Sequence, residues 1–380
     1  MSKYDFSKID RLIDTMQERG IPGCEFAVML NGEKIYDRFS GVAKRETGKA
    51  VDEKTLWWIY SASKISTCIA AMQLVEQGKL ALEDPVSKYI PSFASLRVRT
   101  EEGVVPCDEP MKIIHLFTMS GGLDYDLTDP PALKDAIFAG KGTVDVVSEM
   151  AGKALLFKPG EHYRYSLCHD VLGAVVEVVS GMRFSDYLKK NLWLPLGMTD
   201  TGFVPNEEQR ERISDLYTFN HAKGIAIPVS GDRGMFLDDN ANYESGGGGV
   251  FSSTNDYLKL MGALAMGGVS KDGARILKEE TVKMLMVNRL SDQCREDLWK
   301  ERLYGYGWGL CGRVHMNSAY SLSKSAVGEF GWDGAAAAFA LADPTNRVGL
   351  FFGTHVLGCN YCYCWVHPML RDLTFEAING

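Results

Sequence analysis

Ser61 and Lys64 stand three positions apart in the run Ser61-Ala62-Ser63-Lys64. A serine hydroxyl is a weak nucleophile until a base takes its proton. Residues three apart on a helix share a face, one turn from each other, so the Lys64 amine can reach the Ser61 oxygen without help from distant structure. The following segment can carry such a helix: Ile65, Cys68, Ile69, Met72 and Val75 form an apolar stripe, and Gly78 stops it. Ser61 then falls at the helix N-terminus, where the dipole and the free amides favour developing negative charge. The pattern by itself is common, since ordinary composition yields roughly one Ser-x-x-Lys in a chain of this size. A helix cap beside a surface lysine is the alternative reading. A second copy, Ser321-Leu322-Ser323-Lys324, sits in a small-polar stretch with no apolar helix after it and reads as an exposed loop.

Two further stretches could serve the same chemistry. Tyr163-Arg164-Tyr165-Ser166 precedes an amphipathic run, Val171-Leu172-Ala174-Val175-Val178, closed by Gly181. A phenol becomes a proton shuttle when a nearby cation lowers its pKa from about 10, although a core aromatic with a bonded hydroxyl looks the same in sequence. Gly331-Trp332-Asp333-Gly334-Ala335 opens a predicted strand over Ala335 to Ala342. Glycine admits close approach there, and an edge strand can offer a free amide to an oxyanion; a plain turn into a strand is the alternative.

The elements that must position these residues can be read coarsely. Phe6, Ile9, Leu12, Ile13 and Met16 mark a first helix ending at Gly20. Cys24 to Leu30 and Lys34 to Phe39 read as a hairpin joined by Asn31-Gly32. Helical periodicity dominates from about Ser61 to about Arg302, broken by loops at Gly121 to Pro131 and Glu244 to Gly249. Strands return at Tyr304 to Cys311, Ala335 to Ala342 and Val348 to Thr354, and a last helix follows Pro368. The economical fold is α+β. Strands from both chain ends form one antiparallel sheet flanked by the terminal helices, with an all-helical region beside it. We expect one catalytic domain over residues 1–380, with an α/β subdomain at about 1–60 and 303–380 and a helical subdomain at about 61–302.

Composition narrows the function. The chain has 380 residues, 41 Lys plus Arg against 49 Asp plus Glu, and a formal charge of −8. That mild acidity, without a long run of like charge, argues against a nucleic-acid surface. Ala335 to Ala342, the longest apolar stretch, is too short to cross a bilayer, and the N-terminus lacks a secretory apolar core, so no membrane partner is expected. Nine dispersed cysteines do not form a disulfide framework and suit a reducing cytoplasm. Cys359, Cys362, Cys364 and His367 invite a metal reading, but no second cysteine pair repeats the spacing, and thiols in an aromatic run are expected instead. No metal and no other cofactor is expected. Gly246 to Gly249 is not a phosphate loop, and neither a His-Glu-x-x-His nor a Gly-x-Ser-x-Gly motif is present. His162 and His169 flank Tyr165 and are candidates to line a pocket. Loops around Gly121 to Thr143 and Asn220 to Glu244 would set its size. Oligomeric state stays open.

Taken in order, these motifs resemble the serine β-lactamase and penicillin-binding-protein superfamily. The resemblance is strongest to its class C β-lactamase-like branch, which includes the family VIII carboxylesterases. Ile113 to Leu123, Ser245 to Ser253 and Tyr304 to Gly309 are similar to further family stretches, so the likeness runs from about residue 8 to about residue 375. It implies that Ser61 is the acyl-accepting nucleophile and that Lys64 and Tyr165 share its proton and return it to the leaving group. It implies an oxyanion hole from the amides of Ser61 and Ala335. Trp332, Asp333 and Gly334 occupy the place of the family's Lys-Thr-Gly substrate-binding motif. Leu167 stands where the β-lactamases carry an asparagine that orients the substrate amide. A site with Trp332 in place of a cation, and with Asp333 added, should bind an anionic β-lactam poorly. A small-molecule ester is therefore the expected substrate, with an amide, β-lactam or D-amino-acid peptide as the alternative. The resemblance leaves hydrolase and acyltransferase equally open.

Overall fold

The computed structural model describes residues 3–229 and 242–380. The helices that matter for the site are α1 (Ser7–Glu18), α2 (Ser63–Glu76), α3 (Cys168–Ser180), α4 (Thr254–Ala265) and α5 (His367–Asn379). Eight strands form one sheet: β1 (Gly23–Leu30), β2 (Glu33–Lys44), β3 (Lys49–Ala50), β4 (Tyr306–Gly309), β5 (Gly312–His315), β6 (Phe330–Asp333), β7 (Phe339–Asp343) and β8 (Val348–Thr354). Their order is β4-β5-β6-β7-β8-β1-β2-β3, antiparallel throughout. The architecture is α+β.

The two chain ends meet where β8 pairs with β1, with Phe352 opposite Phe26. Alternation along these strands sorts their side chains onto two faces. Phe26, Val28, Leu350 and Phe352 pack against Ile9, Ile13 and Met16 of α1 and Leu370 and Phe375 of α5. Ala27, Ala340 and Phe351 face the other way, toward α4 and the helical region. Tyr257 of α4 lies 4.9 Å, ring to ring, from Phe351. The β1–β2 hairpin turns through Asn31 and Gly32, both at positive φ (53° and 78°), as the Asn-Gly pair demands.

Some expectations need correction. The region over about 61–302 is not all-helical, because it holds the strand pairs Arg97–Thr100 with Gly103–Pro106 and Tyr217–Asn220 with Ile225–Pro228. Ala335 to Ala342 is not one strand. The chain leaves β6 at Asp333 and reverses: Gly334 N–H bonds Ala338 C=O at 2.8 Å and Ala337 adopts φ 69°. A run of alanines matches a buried strand in composition yet has too little bulk to resist a turn. Tyr304 to Cys311 contains only β4, and a separate strand, β5, follows it at once. The second Ser-x-x-Lys is a loop as expected, leaving the last residue of the helical turn Ser318–Ser321 with Leu322 and Lys324 exposed and only Ser323 buried.

α2 is buried nearly all round, not along one stripe, because it runs between the sheet and α3. Leu56–Trp58 pairs with Phe251–Ser253, which draws the glycine-rich segment before Phe251 alongside the start of α2. Phe26 and Phe352 are both fully buried in the pairing that joins the chain ends. Phe352→Ala should lower the unfolding free energy by about 3–5 kcal/mol in a denaturant titration. A loss below about 1 kcal/mol would show that this pairing does not hold the ends together.

Candidate active site

Ser61 lies in the 3₁₀ turn Tyr60–Ala62 that leads into α2, two residues before the helix proper. Tyr60, just before it, adopts φ 45°, a conformation that costs a non-glycine residue on the order of 1–2 kcal/mol. The turn is held by Ile59 N–H on Val250 C=O at 3.0 Å and by Val250 N–H on Ser63 Oγ at 3.1 Å. The same contacts fix the glycine-rich segment against it, with Thr67 Oγ1 donating to Gly246 C=O at 2.7 Å.

Lys64 is only 1% exposed. Its Nζ lies 3.1 Å from Ser61 Oγ, 2.9 Å from Tyr125 Oη and 2.5 Å from Gly247 C=O. A carbonyl only accepts, so one N–H is committed to Gly247. A neutral amine has two N–H bonds and one lone pair. In the neutral form that a base requires, the second N–H would go to Tyr125 and the lone pair would face Ser61. No carboxylate is among these partners.

The Tyr125 hydroxyl is thus the phenol that hydrogen-bonds to Lys64. Tyr125 as a residue is 39% exposed, but its hydroxyl is enclosed. Burial pushes this phenol well above its ordinary value; Tyr165 and Asp170 push the same way, and Ser61 opposes them weakly. Tyr125 therefore stays protonated near neutrality. The Tyr165 ring lies under Lys64, with Nζ 4.8 Å from its centroid, and its Oη accepts Trp332 Nε1–H at 2.8 Å. Trp332 also packs edge-on against Trp308, 4.6 Å between rings, so the end of β6 presents an aromatic wall.

Behind this group sits Asp170, fully buried on α3. Its Oδ1 accepts from Tyr243 Oη at 2.7 Å, Ser245 Oγ at 2.6 Å and Gly247 N–H at 3.4 Å. It thereby anchors the segment whose carbonyl meets Lys64. A Cβ on Gly247 would stand 2.3 Å from Asp170 Oδ2, so only glycine fits. Neither Tyr125 nor Asp170 is among the residues that sequence motifs single out. Tyr125 lies in an evident loop, and the one signal for Asp170 is a lone carboxylate inside an apolar run.

The structure brings Ser61, Lys64, Tyr165 and Trp332 together and sorts the other candidates. Gly334 lies against the start of the Tyr60–Ala62 turn, where a Cβ would meet Ile59 C=O at 2.2 Å. Ala335 follows it, exposed, and its N–H makes no hydrogen bond among the described residues. Asp333 points the other way, because neighbours on a strand face opposite sides. Its carboxylate lies 3.7 Å from His367 Nδ1 on the α5 side. The negative charge expected beside the substrate is therefore turned away from Trp332 and Tyr165. Leu167 is 3% exposed and packs into the core at the start of α3, not at an open surface. His169 is buried under the site beside Phe117 C=O, and His162 pairs with Asp297 at the surface. Neither lines a space at Ser61. Cys359 and Cys362 bring their sulfurs to 3.2 Å, Cys364 is exposed, and no group of metal-ligating side chains occurs among the described residues. The Asn220 to Glu244 segment expected to shape the pocket lies in part outside the described residues. No helix among the described residues is long and apolar enough to cross a membrane.

A family model described as Beta-lactamase matches residues 9–358. The chain belongs to the Beta-lactamase family. Among its relatives, Esterase EstB of Burkholderia gladioli is 31% identical over 68% of this chain and 69% of its own. A relative in Escherichia coli K12, provisionally named a D-alanyl-D-alanine carboxypeptidase, is 28% identical over 90% of this chain and 80% of its own. The solved structure of EstCE1, described as a hydrolase with promiscuous acyltransferase activity, superposes with a TM-score of 0.82 at 24% identity, over 97% of this chain and 98% of that one. The fold is therefore that of the family across nearly its whole length, and the protein is a serine hydrolase.

His169 gives the site a pH signature. Burial first, and the neighbouring Lys64 second, lower its pKa from 6.5 to about 3. Below pH 6.5 the unfolded chain binds a proton here that the folded chain refuses until about pH 3. Protonation therefore favours unfolding through that window, and this contribution to stability is intact above it. His169→Asn should flatten the fall in stability between pH 6.5 and 3 relative to the native chain. Parallel curves would show that His169 carries no such linkage.

Proposed function

We propose that the protein is a carboxylesterase on small or medium esters, with Ser61 as its nucleophile. The observation that carries this reading is the buried Lys64 amine 3.1 Å from Ser61 Oγ, with its other partners a phenol and a carbonyl. Ser61 Oγ attacks the ester carbonyl carbon as its proton passes to the Lys64 lone pair. The carbonyl oxygen becomes an oxyanion facing the Ser61 and Ala335 amides. The proton then leaves through Lys64 to the departing alkoxide, with the Tyr125 and Tyr165 hydroxyls beside it, and an acyl-enzyme remains on Ser61. Water, activated by the same groups in reverse, releases the acid. An alcohol in place of water would give acyl transfer, the second reading, an activity that EstCE1 is described as having.

The preference for an ester rests on Trp332. The position supplies an indole bound to Tyr165 and no cation for a substrate carboxylate. EstB, by its name an esterase, supports the same substrate class. Asp333, turned toward α5, has no part in this preference. A small-molecule substrate and a reducing compartment such as the cytoplasm complete the reading, the latter supported by nine unpaired thiols among the described residues.

Ser61→Ala should abolish both p-nitrophenyl acetate hydrolysis and covalent labelling by a fluorophosphonate, with the fold intact by circular dichroism. Wild type should open a chromogenic cephalosporin far more slowly than it hydrolyses the ester. Labelling that survives in the variant would sink the Ser61 assignment, and efficient cephalosporin opening would move the reading to a β-lactamase. Tyr125→Phe and Tyr165→Phe should each lower kcat/KM by about 10²-fold, in the range usual for a proton-transfer group. An unchanged rate for either would remove that phenol from the relay.

A further inference from the structure

Tyr363 belongs to the turn Cys362–Val366 that leads into α5, outside the cluster around Lys64. Its one hydroxyl proton is shared between Ala335 C=O at 2.7 Å and Gly334 C=O at 2.9 Å. The Gly334 carbonyl and the Ala335 N–H are the two ends of one peptide unit. In a planar trans peptide they point in opposite directions. The Gly334 carbonyl also accepts Ala337 N–H at 2.8 Å. It is therefore held on the side of Tyr363 and the turn, which leaves Ala335 N–H directed outward and unbonded among the described residues. Gly334 itself lies against Ile59 C=O, two residues before Ser61.

We propose that Tyr363 is a positioning residue for catalysis: by pinning the Gly334 and Ala335 carbonyls it sets the plane of the peptide whose N–H receives the substrate oxyanion. This inference rests on the reading of Ser61 as nucleophile and Ala335 as oxyanion donor. An oxyanion donor acts only when it is aimed at the place the oxygen will occupy, before the oxygen carries charge. A hydrogen bond to the carbonyl also polarises the amide and strengthens its N–H as a donor. Burial, with the nearby Asp333 carboxylate, raises the Tyr363 phenol far above its ordinary value, so the hydroxyl keeps the proton that it donates. The ring is held separately, edge-on to His367 at 5.4 Å. Removing the hydroxyl alone leaves that packing in place.

The test is Tyr363→Phe, with Tyr361→Phe, just before that turn, as a control. Removing an oxyanion donor outright costs about 10²–10³ in rate, and losing only its aim should cost about tenfold. For Tyr363→Phe, kcat/KM for p-nitrophenyl acetate should fall about tenfold. The Ki of phenylboronic acid, whose tetrahedral serine adduct places an oxygen in the same position, should rise by a similar factor. Binding of p-nitroacetanilide, a planar ground-state ligand, should stay within about twofold, as should the melting temperature within about two degrees. Tyr361→Phe should change none of these. Unchanged kcat/KM and boronate affinity would overturn the proposal, and so would equal weakening of the planar and tetrahedral ligands. Were Ser61→Ala to keep the wild-type rate, the nucleophile assignment itself would fall, a result separable from any effect of Tyr363.

Discussion

A buried amine with three neighbours at hydrogen-bonding distance governs the architecture around Ser61. Taking a lysine head out of water is unfavourable unless every bond it can make is supplied. For Lys64 those bonds come from three places far apart in the chain: the turn before α2, the loop that carries Tyr125, and the glycine-rich segment at Gly247. Much of the local structure serves to deliver these groups. The Leu56–Trp58 and Phe251–Ser253 pairing brings Gly247 close, and Asp170 locks it from behind. The glycine at 247 follows from the same constraint, since a side chain there would occupy the space of the Asp170 carboxylate.

The second organising feature is aromatic. Tyr125, Tyr165, Trp308 and Trp332 form a continuous wall beside the amine, with ring separations between 4.6 and 6.0 Å. Trp332 has two effects in it. Its indole N–H occupies one lone pair of the Tyr165 hydroxyl, which orients that phenol without consuming its proton. Its ring supplies an apolar face, and no cation, at the end of β6. An apolar wall with few fixed charges suits a neutral acyl group better than a carboxylate-bearing substrate. The alternation of β6 reinforces this, because it sends the Asp333 carboxylate to the α5 side of the sheet.

The sheet ties the site to both chain ends. β1 and β8 pair in the middle of it, and the α5 side carries Tyr363, whose hydroxyl returns to the Gly334–Ala335 turn. One wall of the site is thus braced from the C-terminal helix and the other from the helical region. Under the proposed function, acyl chemistry at Ser61 would need donors and base fixed around one carbonyl carbon, and elements tied to both chain ends would supply that frame.

The fold class, the meeting of the chain ends and the Ser61–Lys64–Tyr165–Trp332 set were legible in the sequence, because each depends on local spacing or on an ordered series of motifs. A serine and a lysine one helical turn apart must be neighbours wherever the helix is packed. Residues whose role comes from long-range approach were not legible. Tyr125 meets Lys64 across 61 positions, Asp170 acts through a carbonyl 77 positions away, and Tyr363 reaches back 28 and 29 positions to its carbonyls. Nor could composition tell which face of β6 would receive Asp333, or that the alanines after Gly334 turn back on themselves. Sequence spacing determines contacts within one helix or one hairpin. Which of several phenols meets a buried amine, and which way a peptide plane points, is decided only when separate elements pack and their hydrogen bonds must all be satisfied at once.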